Sequence, residues 1–525
     1  MTSIYPAIFF VIPAIHVFST SRLPANLAIN SLIALLLIGL ILLKVFKIIV
    51  KDKEKASLVM TIFTFWFLYF QLSLDWLSSI VFKIGFARTS DSLCDSQGLA
   101  ITLFISWSIT FYLIGKKIWH SDFLINRIGK YIESVSIILL AILMINILLI
   151  GPPLISVTDQ TNQYRISNGA HQLQEDQGIL NIDAADNPDI YYIILDGLGS
   201  SDILSEVYDT NMESFIKGLK ERGFYIPESS RSNYSQTVLS LASSLNLFYV
   251  DDLLSDKPIS RNWLPLAELI QNSYVAKYLD YRGYETVIFS SGYWVTEGMS
   301  ADKKYEPVIN LNEYQEGLIA NTPLISFYQG ILYDVHRKRI QFTLEKLGKI
   351  PDGDKPIFVF SHIYAPHPPF VFNYLGEPIK PDRQFSKFDA DGFIHKGGTE
   401  AEYILGYSGQ AEYLLNQILE VVDQILNNSA SKPIIIIQGD HGPGSMVNQQ
   451  NIKETNLDER LSIFNAYFLP DENYEELYAS ITPVNSFRIL FNQYFNSNFK
   501  LLDDKSYFST VSKPYLFTEV TEELK

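Results

Sequence analysis

Pro433-Ile434-Ile435-Ile436-Ile437-Gln438-Gly439-Asp440-His441-Gly442 decides how the C-terminal half of this chain folds. A short apolar run, rich in β-branched residues and ended by glycine, reads as a strand buried on both faces. The Asp-His pair then falls at the strand's C-terminal edge, where open α/β sheets place their sites. A carboxylate beside an imidazole, with glycines on either side for tight turning, suits a divalent metal. A second stretch has the same form: Ile190-Tyr191-Tyr192-Ile193-Ile194-Leu195 ends in Asp196-Gly197. Asp-Gly alone is ordinary turn chemistry. Two buried strands that each end in a carboxylate point to one metal site assembled from distant parts of the chain.

The 525 residues suffice for more than one domain, and 47% are hydrophobic although the net charge is -16. Both hold if apolar and acidic residues are segregated, and the long apolar runs do lie in the first 155 residues. No basic stripe is visible, which argues against a nucleic-acid partner. The single cysteine, Cys94, excludes an intrachain disulfide and a cysteine-rich zinc module.

Runs at 4–18, 27–50, 58–80, 99–118 and 135–155 read as about five membrane spans. The first lacks a basic flank and a small-residue cleavage site, so it reads as a retained anchor. Lys44, Lys47, Lys51, Lys53 and Lys55 stand at and beyond the end of the second run, and Lys116, Lys117, Arg127 and Lys130 at and beyond the end of the fourth. The opposite loops hold only Arg22, Lys83 and Arg88. The positive-inside rule then puts the N-terminus in the cytoplasm and everything after 155 outside it. Residues 156–187 are polar and aperiodic, a linker by composition. From 188 to 525, strands at 190–195, 286–289, 357–360, 434–437 and 466–469 alternate with helical patterns at 212–222, 237–247, 266–282 and 400–426. Such alternation predicts an α/β domain with a largely parallel sheet between helix layers.

Ser235 and Thr237 stand at the start of the 237–247 helix. A hydroxyl there sees the dipole's positive end and free N–H groups, and a neighbouring metal would lower its pKa further. Either residue serves equally as a helix cap on this pattern alone. His362 and His367, in Ser361-His362-Ile363-Tyr364-Ala365-Pro366-His367-Pro368-Pro369-Phe370, follow the 357–360 strand in a proline-stiffened loop. They are placed to meet an anionic substrate or protonate a leaving group.

Taken together, Asp196-Gly197 after a strand, a Thr at a helix start, the Pro-His-Pro-Pro-Phe loop and Gly-Asp-His-Gly resemble the alkaline phosphatase superfamily. The likeness is to its sulfatase-like membrane branch, which includes lipoteichoic acid synthases and phosphoethanolamine transferases. The resemblance implies a five-span N-terminal bundle followed by an extracytoplasmic sulfatase-like domain in a bacterial-type plasma membrane. It implies one divalent metal (Mn²⁺, Mg²⁺ or Zn²⁺) held by Asp196, Thr237, Asp440 and His441. Thr237 would also be the nucleophile and carry a covalent phospho-threonine. His367, with His362 beside it, would contact the transferring group, and Trp294, Arg460 and Asn465 would line the substrate pocket. Asp196 stands where the synthase branch has a glutamate.

Two departures separate the branches. Sulfatases proper make a formylglycine within Cys/Ser-x-Pro-x-Arg, whereas Ser235 is followed by Gln236-Thr237-Val238-Leu239. Two-metal relatives need an Asp with His in D-x-x-x-H spacing, and the His362 loop has no such aspartate. The expected activity is therefore transfer of a phospho-headgroup from a membrane lipid donor to an envelope glycan or lipid acceptor. Hydrolysis of phosphoric or sulfuric esters is the alternative at the same site. A non-catalytic membrane scaffold or sensor is the third reading, disfavoured because a scaffold has no need of a costly carboxylate cluster.

Overall fold

A computed structural model describes residues 5–21, 23–70, 73, 96–120, 125–149, 187–254, 262–324, 330–351, 353–381 and 383–524. Cys94, nearly all of the 156–187 linker, and parts of the third and fifth apolar runs lie outside the described residues. The chain forms two compact units, one of residues 1–156 with 311–332 and one of residues 157–310 with 333–525.

In the second unit, six strands form one sheet: β1 Ile190–Leu195, β2 Glu285–Phe289, β3 Lys303–Tyr305, β4 Ile357–Ile363, β5 Ile434–Gln438 and β6 Asn465–Phe468. Their order is β3-β2-β4-β1-β5-β6. All neighbours pair in parallel except β5 with β6. β1, β4 and β5 are buried along their whole length, which accounts for their continuous apolar sequences.

Each face of the sheet carries its own core. On one, Tyr192, Ile194, Phe360 and Ile436 pack against Val238, Leu241, Leu279 and Phe487. On the other, Tyr191, Ile193, Val359 and Ile437 pack against Leu204, Leu219, Tyr407 and Leu414. A separate hairpin joins β7 Tyr507–Thr510 to β8 Lys513–Glu519.

Several boundaries differ from the expected ones, each for a local reason. β4 runs on to Ile363, so His362 belongs to the strand rather than the loop, paired in register with Ile194. The single helix expected at 266–282 is two, Leu264–Gln271 and Tyr274–Tyr281, because Ser273 caps the second through the Ala276 N–H. The 237–247 helix closes early as α6, Thr237–Ser244. Leu247 beyond it takes a positive φ of 62°.

Among the described residues, the first unit has five N-terminal helices: α1 Tyr5–Ser21, α2 Ala25–Val50, α3 Lys53–Leu68, α4 Ser96–His120 and α5 Ile125–Leu149. Against the five expected spans, two stretches among the described residues are long and apolar enough to cross a membrane: α2 and residues 128–145 of α5. The apolar part of α1 is too short for that test. Phe65 stacks on Tyr69 and Trp107, tying α3 to α4. A sixth helix, α7 Glu313–Ala320, joins this unit from far along the chain. Its Tyr314 is fully buried and donates to Ala14 O at 2.9 Å. Gln315 donates to Ser31 Oγ at 3.2 Å and Asn312 to Leu27 O at 3.2 Å.

Candidate metal centre

The sheet brings three side chains to one point because side chains alternate along strands. Ile194 pairs with His362 on β4 and with Gln438 on β5. Two residues beyond Ile194 and Gln438, on the same face, come Asp196 and Asp440. That face is the one covered by α6, whose first residue is Thr237. Asp196, His362 and Asp440 form a buried group whose donor atoms all lie within 4.8 Å of one another, a set able to hold a metal ion. The glycines around it are fixed by space and backbone shape. A Cβ on Gly442 would stand 2.0 Å from Glu459 O, and Gly197 turns the chain with a φ of +76°.

His441 adds a fourth donor. Its Nδ1–H donates to Gly442 O at 2.8 Å, so the Nε2 lone pair faces the carboxylates. Nε2 lies 3.7 Å from Asp196 Oδ1 and 3.5 Å from Asp440 Oδ2. Both of those oxygens are buried without a hydrogen-bond partner. Thr237 Oγ1, partly exposed at the head of α6, lies 3.1 Å from the same nitrogen. Neighbouring donors around a tetrahedral ion with bonds near 2.1 Å stand about 3.4 Å apart, so these spacings fit a cation. Unpartnered buried carboxylate oxygens are costly, and a cation removes that cost.

The electrostatics tell the same story. Burial, then the neighbouring Asp440, pushes the Asp196 carboxyl well above its ordinary value. Burial also pushes Asp440 up, but His441, His362 and the Gly197 N–H outweigh it and hold Asp440 below the carboxylate norm. His362 and His441 are each brought down to about 4, chiefly by burial. His362 Nε2 lies 3.1 Å from Asp196 Oδ2, within hydrogen-bond reach of that carboxyl. Thr296 Oγ1, 3.1 Å from His362 Nδ1, is a partner able to fix the ring's tautomer.

Arg460, on α9 Leu457–Leu461, reaches the same place. Its Nη2 donates toward His441 Nε2 at 3.3 Å. His367 is held at the rim by its backbone N–H, which donates to Asp196 O at 3.0 Å, and by its Nδ1–H, which donates to Pro368 O at 2.5 Å. Ser235 is buried beside α6, and its carbonyl accepts Arg460 Nε–H at 2.8 Å.

The fold thus gathers Asp196, Thr237, His362, His367, Asp440, His441 and Arg460. Asn465 sits in β6 and hydrogen-bonds Ser230 and Tyr467 instead. Trp294 packs against the apolar core on the α6 side of the sheet. Its neighbour Tyr293 approaches His362, with ring centres 6.1 Å apart. Asp389, buried between Arg460 and His367, escaped the sequence reading because it lies in no motif and follows no strand.

The sequence profile of the sulfatase family matches residues 188–487. No curated protein sequence matches the chain. Three solved structures are similar at low identity. The periplasmic domain of EptC from Escherichia coli, as a complex with Zn, is 11% identical, with TM-score 0.41, covering 66% of this chain and 95% of that one. The integral membrane lipooligosaccharide phosphoethanolamine transferase EptA from Neisseria meningitidis is 12% identical, with TM-score 0.38, covering 94% of this chain and 95% of that one. A 2-O GAG sulfatase is 12% identical, with TM-score 0.40, covering 62% of this chain and 78% of that one. On the strength of the profile, the chain belongs to the sulfatase family of the alkaline phosphatase superfamily.

Proposed function

We propose that this protein is a membrane-anchored, metal-dependent phosphotransferase that moves a phospho-headgroup from a lipid through Thr237 to an envelope glycan or lipid. The observation that carries the reading is the Thr237 hydroxyl. It is partly exposed and 3.1 Å from His441 Nε2, and it heads a helix beside two unpartnered carboxylate oxygens. Asp196, Asp440, His441 and Thr237 would hold one divalent ion (Mn²⁺, Mg²⁺ or Zn²⁺), with His362 fixing Asp196 from behind. When bound, that ion supplies Lewis-acid stabilisation of the hydroxyl's deprotonated form.

Thr237 Oγ forms a bond to phosphorus as the bond to the lipid oxygen breaks. The helix N-terminus and the Arg460 guanidinium stabilise charge on the phosphoryl oxygens. His367 gives a proton to the departing lipid alkoxide. The acceptor hydroxyl then attacks phosphorus, loses its proton to the same histidine and restores Thr237. The absence of Cys/Ser-x-Pro-x-Arg supports threonine over a formylglycine.

The retained carboxylate group supports an enzyme over a scaffold. α2 and residues 128–145, with the lysine asymmetry of the loops, support a multi-pass anchor. We place the N-terminus in the cytoplasm, the 1–155 region in the plasma membrane with about five spans, and residues 188–525 outside it.

The test is intact-mass analysis of the full chain in detergent with Mn²⁺ and mixed phospholipids. The expected result is an adduct on Thr237, absent in Thr237→Ala, whose mass names the headgroup. Release of phosphate or sulfate from simple esters, with no adduct and no effect of added acceptor, would favour the hydrolase.

A further inference from the structure

The Arg460 guanidinium enters the site committed on three sides. Nε–H donates to Ser235 O at 2.8 Å, and Nη1 donates to Gly442 O at 3.1 Å and to Asp389 Oδ2 at 2.6 Å. Only Nη2 turns toward His441. Asp389 is itself held: Tyr403, on α8 Glu400–Asn428, donates its hydroxyl to Asp389 Oδ1 at 2.5 Å. Asp389 Oδ2 also stands 3.9 Å from His367 Nε2. One buried carboxylate therefore joins α8, α9 and the loop after β4, and it faces both an obligate cation and a titratable ring.

The charge arithmetic gives this contact its meaning. An uncompensated guanidinium beside His441 Nε2 would repel any cation bound there, and the repulsion is strong because Arg460 and His441 are buried. We infer that Asp389 is a positioning residue that neutralises Arg460 and aims its Nη2 edge at His441 and Thr237. The inference rests on the metal centre proposed above and extends it. The His441 Nε2 nitrogen has one lone pair. Once that lone pair is given to a cation, the Nη2 hydrogen has lost its acceptor there and is available to an anionic oxygen carried on Thr237. Asp389 thus lets a cation and a guanidinium share one end of the sheet.

The test needs no substrate. Zn²⁺ affinity of the full chain in detergent is measured by competition with a chromophoric chelator for wild type, Asp389→Asn, Arg460→Gln, the double variant and Tyr403→Phe. Asp389→Asn is expected to weaken Zn²⁺ by about 10-fold or more, the scale of losing a group that supports metal ligands. Arg460→Gln alone should not weaken it, and the double variant should recover most of the loss. A purely structural role for Asp389 would not be rescued by removing Arg460. Tyr403→Phe, which deletes one hydroxyl, should give a smaller loss in the same direction and stands in if Asp389→Asn does not fold.

Unchanged affinity in Asp389→Asn, or an equal loss in the double variant, overturns the inference. A wild-type chain that binds no Zn²⁺ overturns it together with the metal centre. Coupled Zn²⁺ binding without headgroup transfer upholds it while overturning the phosphotransferase reading.

Discussion

The Thr237 hydroxyl can act as a nucleophile only if the groups around it hold their charge states, and each state is open to measurement. Thr237→Ala is expected to lower turnover by about 10³-fold or more while leaving the melting temperature within a few degrees. His367→Ala should lower kcat by about 10²-fold or more with unchanged Zn²⁺ affinity. His362→Gln should do the reverse, weakening metal binding by about 10-fold.

For the metal-free chain the pH dependence follows from proton counts. His362 and His441 have native values of about 4 and bind fewer protons than their unfolded forms up to the ordinary 6.5. Asp196, whose value is raised, keeps a proton that its unfolded form has lost. Within the site, two histidines stand against one carboxylate, while elsewhere in the chain His336 is lowered and Glu268 and Glu459 are raised, so the site's share has to be read by difference. The part of stability that the two histidines contribute should therefore be present above about 6.5 and be lost as pH drops toward about 4. Melts in chelator of wild type and of a His362→Gln, His441→Gln double variant isolate that part, and a variant that loses stability over the interval as steeply as wild type would contradict these charge states.

At the scale of elements, the strand ends were legible in sequence because full burial writes itself as unbroken Ile, Tyr and Phe. What was missed at His362 was a matter of register. Phe358, Phe360 and His362 share one parity, and carrying that alternation two residues further puts His362 on the face of Asp196. The expected strand stopped at Phe360, and pairing with β1 carries it on to Ile363. Asp389 was not legible, since its role comes from three elements that meet only in the folded chain. The loop after His441 is pinned in the same way. Glu459 accepts the Ser445 hydroxyl at 2.7 Å and the Met446 N–H at 2.9 Å, clamping that loop to α9 and hence to Arg460. Gly442→Ala, which drives a Cβ into Glu459 O, should cost more than about 2 kcal/mol and weaken metal binding at once. Chemical denaturation and chelator competition on one preparation would read both effects.

Across the whole molecule, composition separates an apolar N-terminal part from an acidic remainder, and the chain folds as two compact units, with residues 311–332 joining the first. The number of spans was less plain: run length alone does not separate a crossing helix from an apolar helix packed within a unit. The full chain is expected to stay with the membrane after an alkaline carbonate wash and to leave it only in detergent. The helix α7 has a consequence for anyone who would cut this chain. The linker looks like the natural place to divide it, yet Tyr314, Gln315 and Asn312 take their partners from Ala14, Ser31 and Leu27. A polypeptide started at Asn187 would carry α7 along and leave those partners behind. It would then present an orphaned aromatic surface to solvent, and clumping of such a fragment would report the severed helix rather than a fault in the sheet.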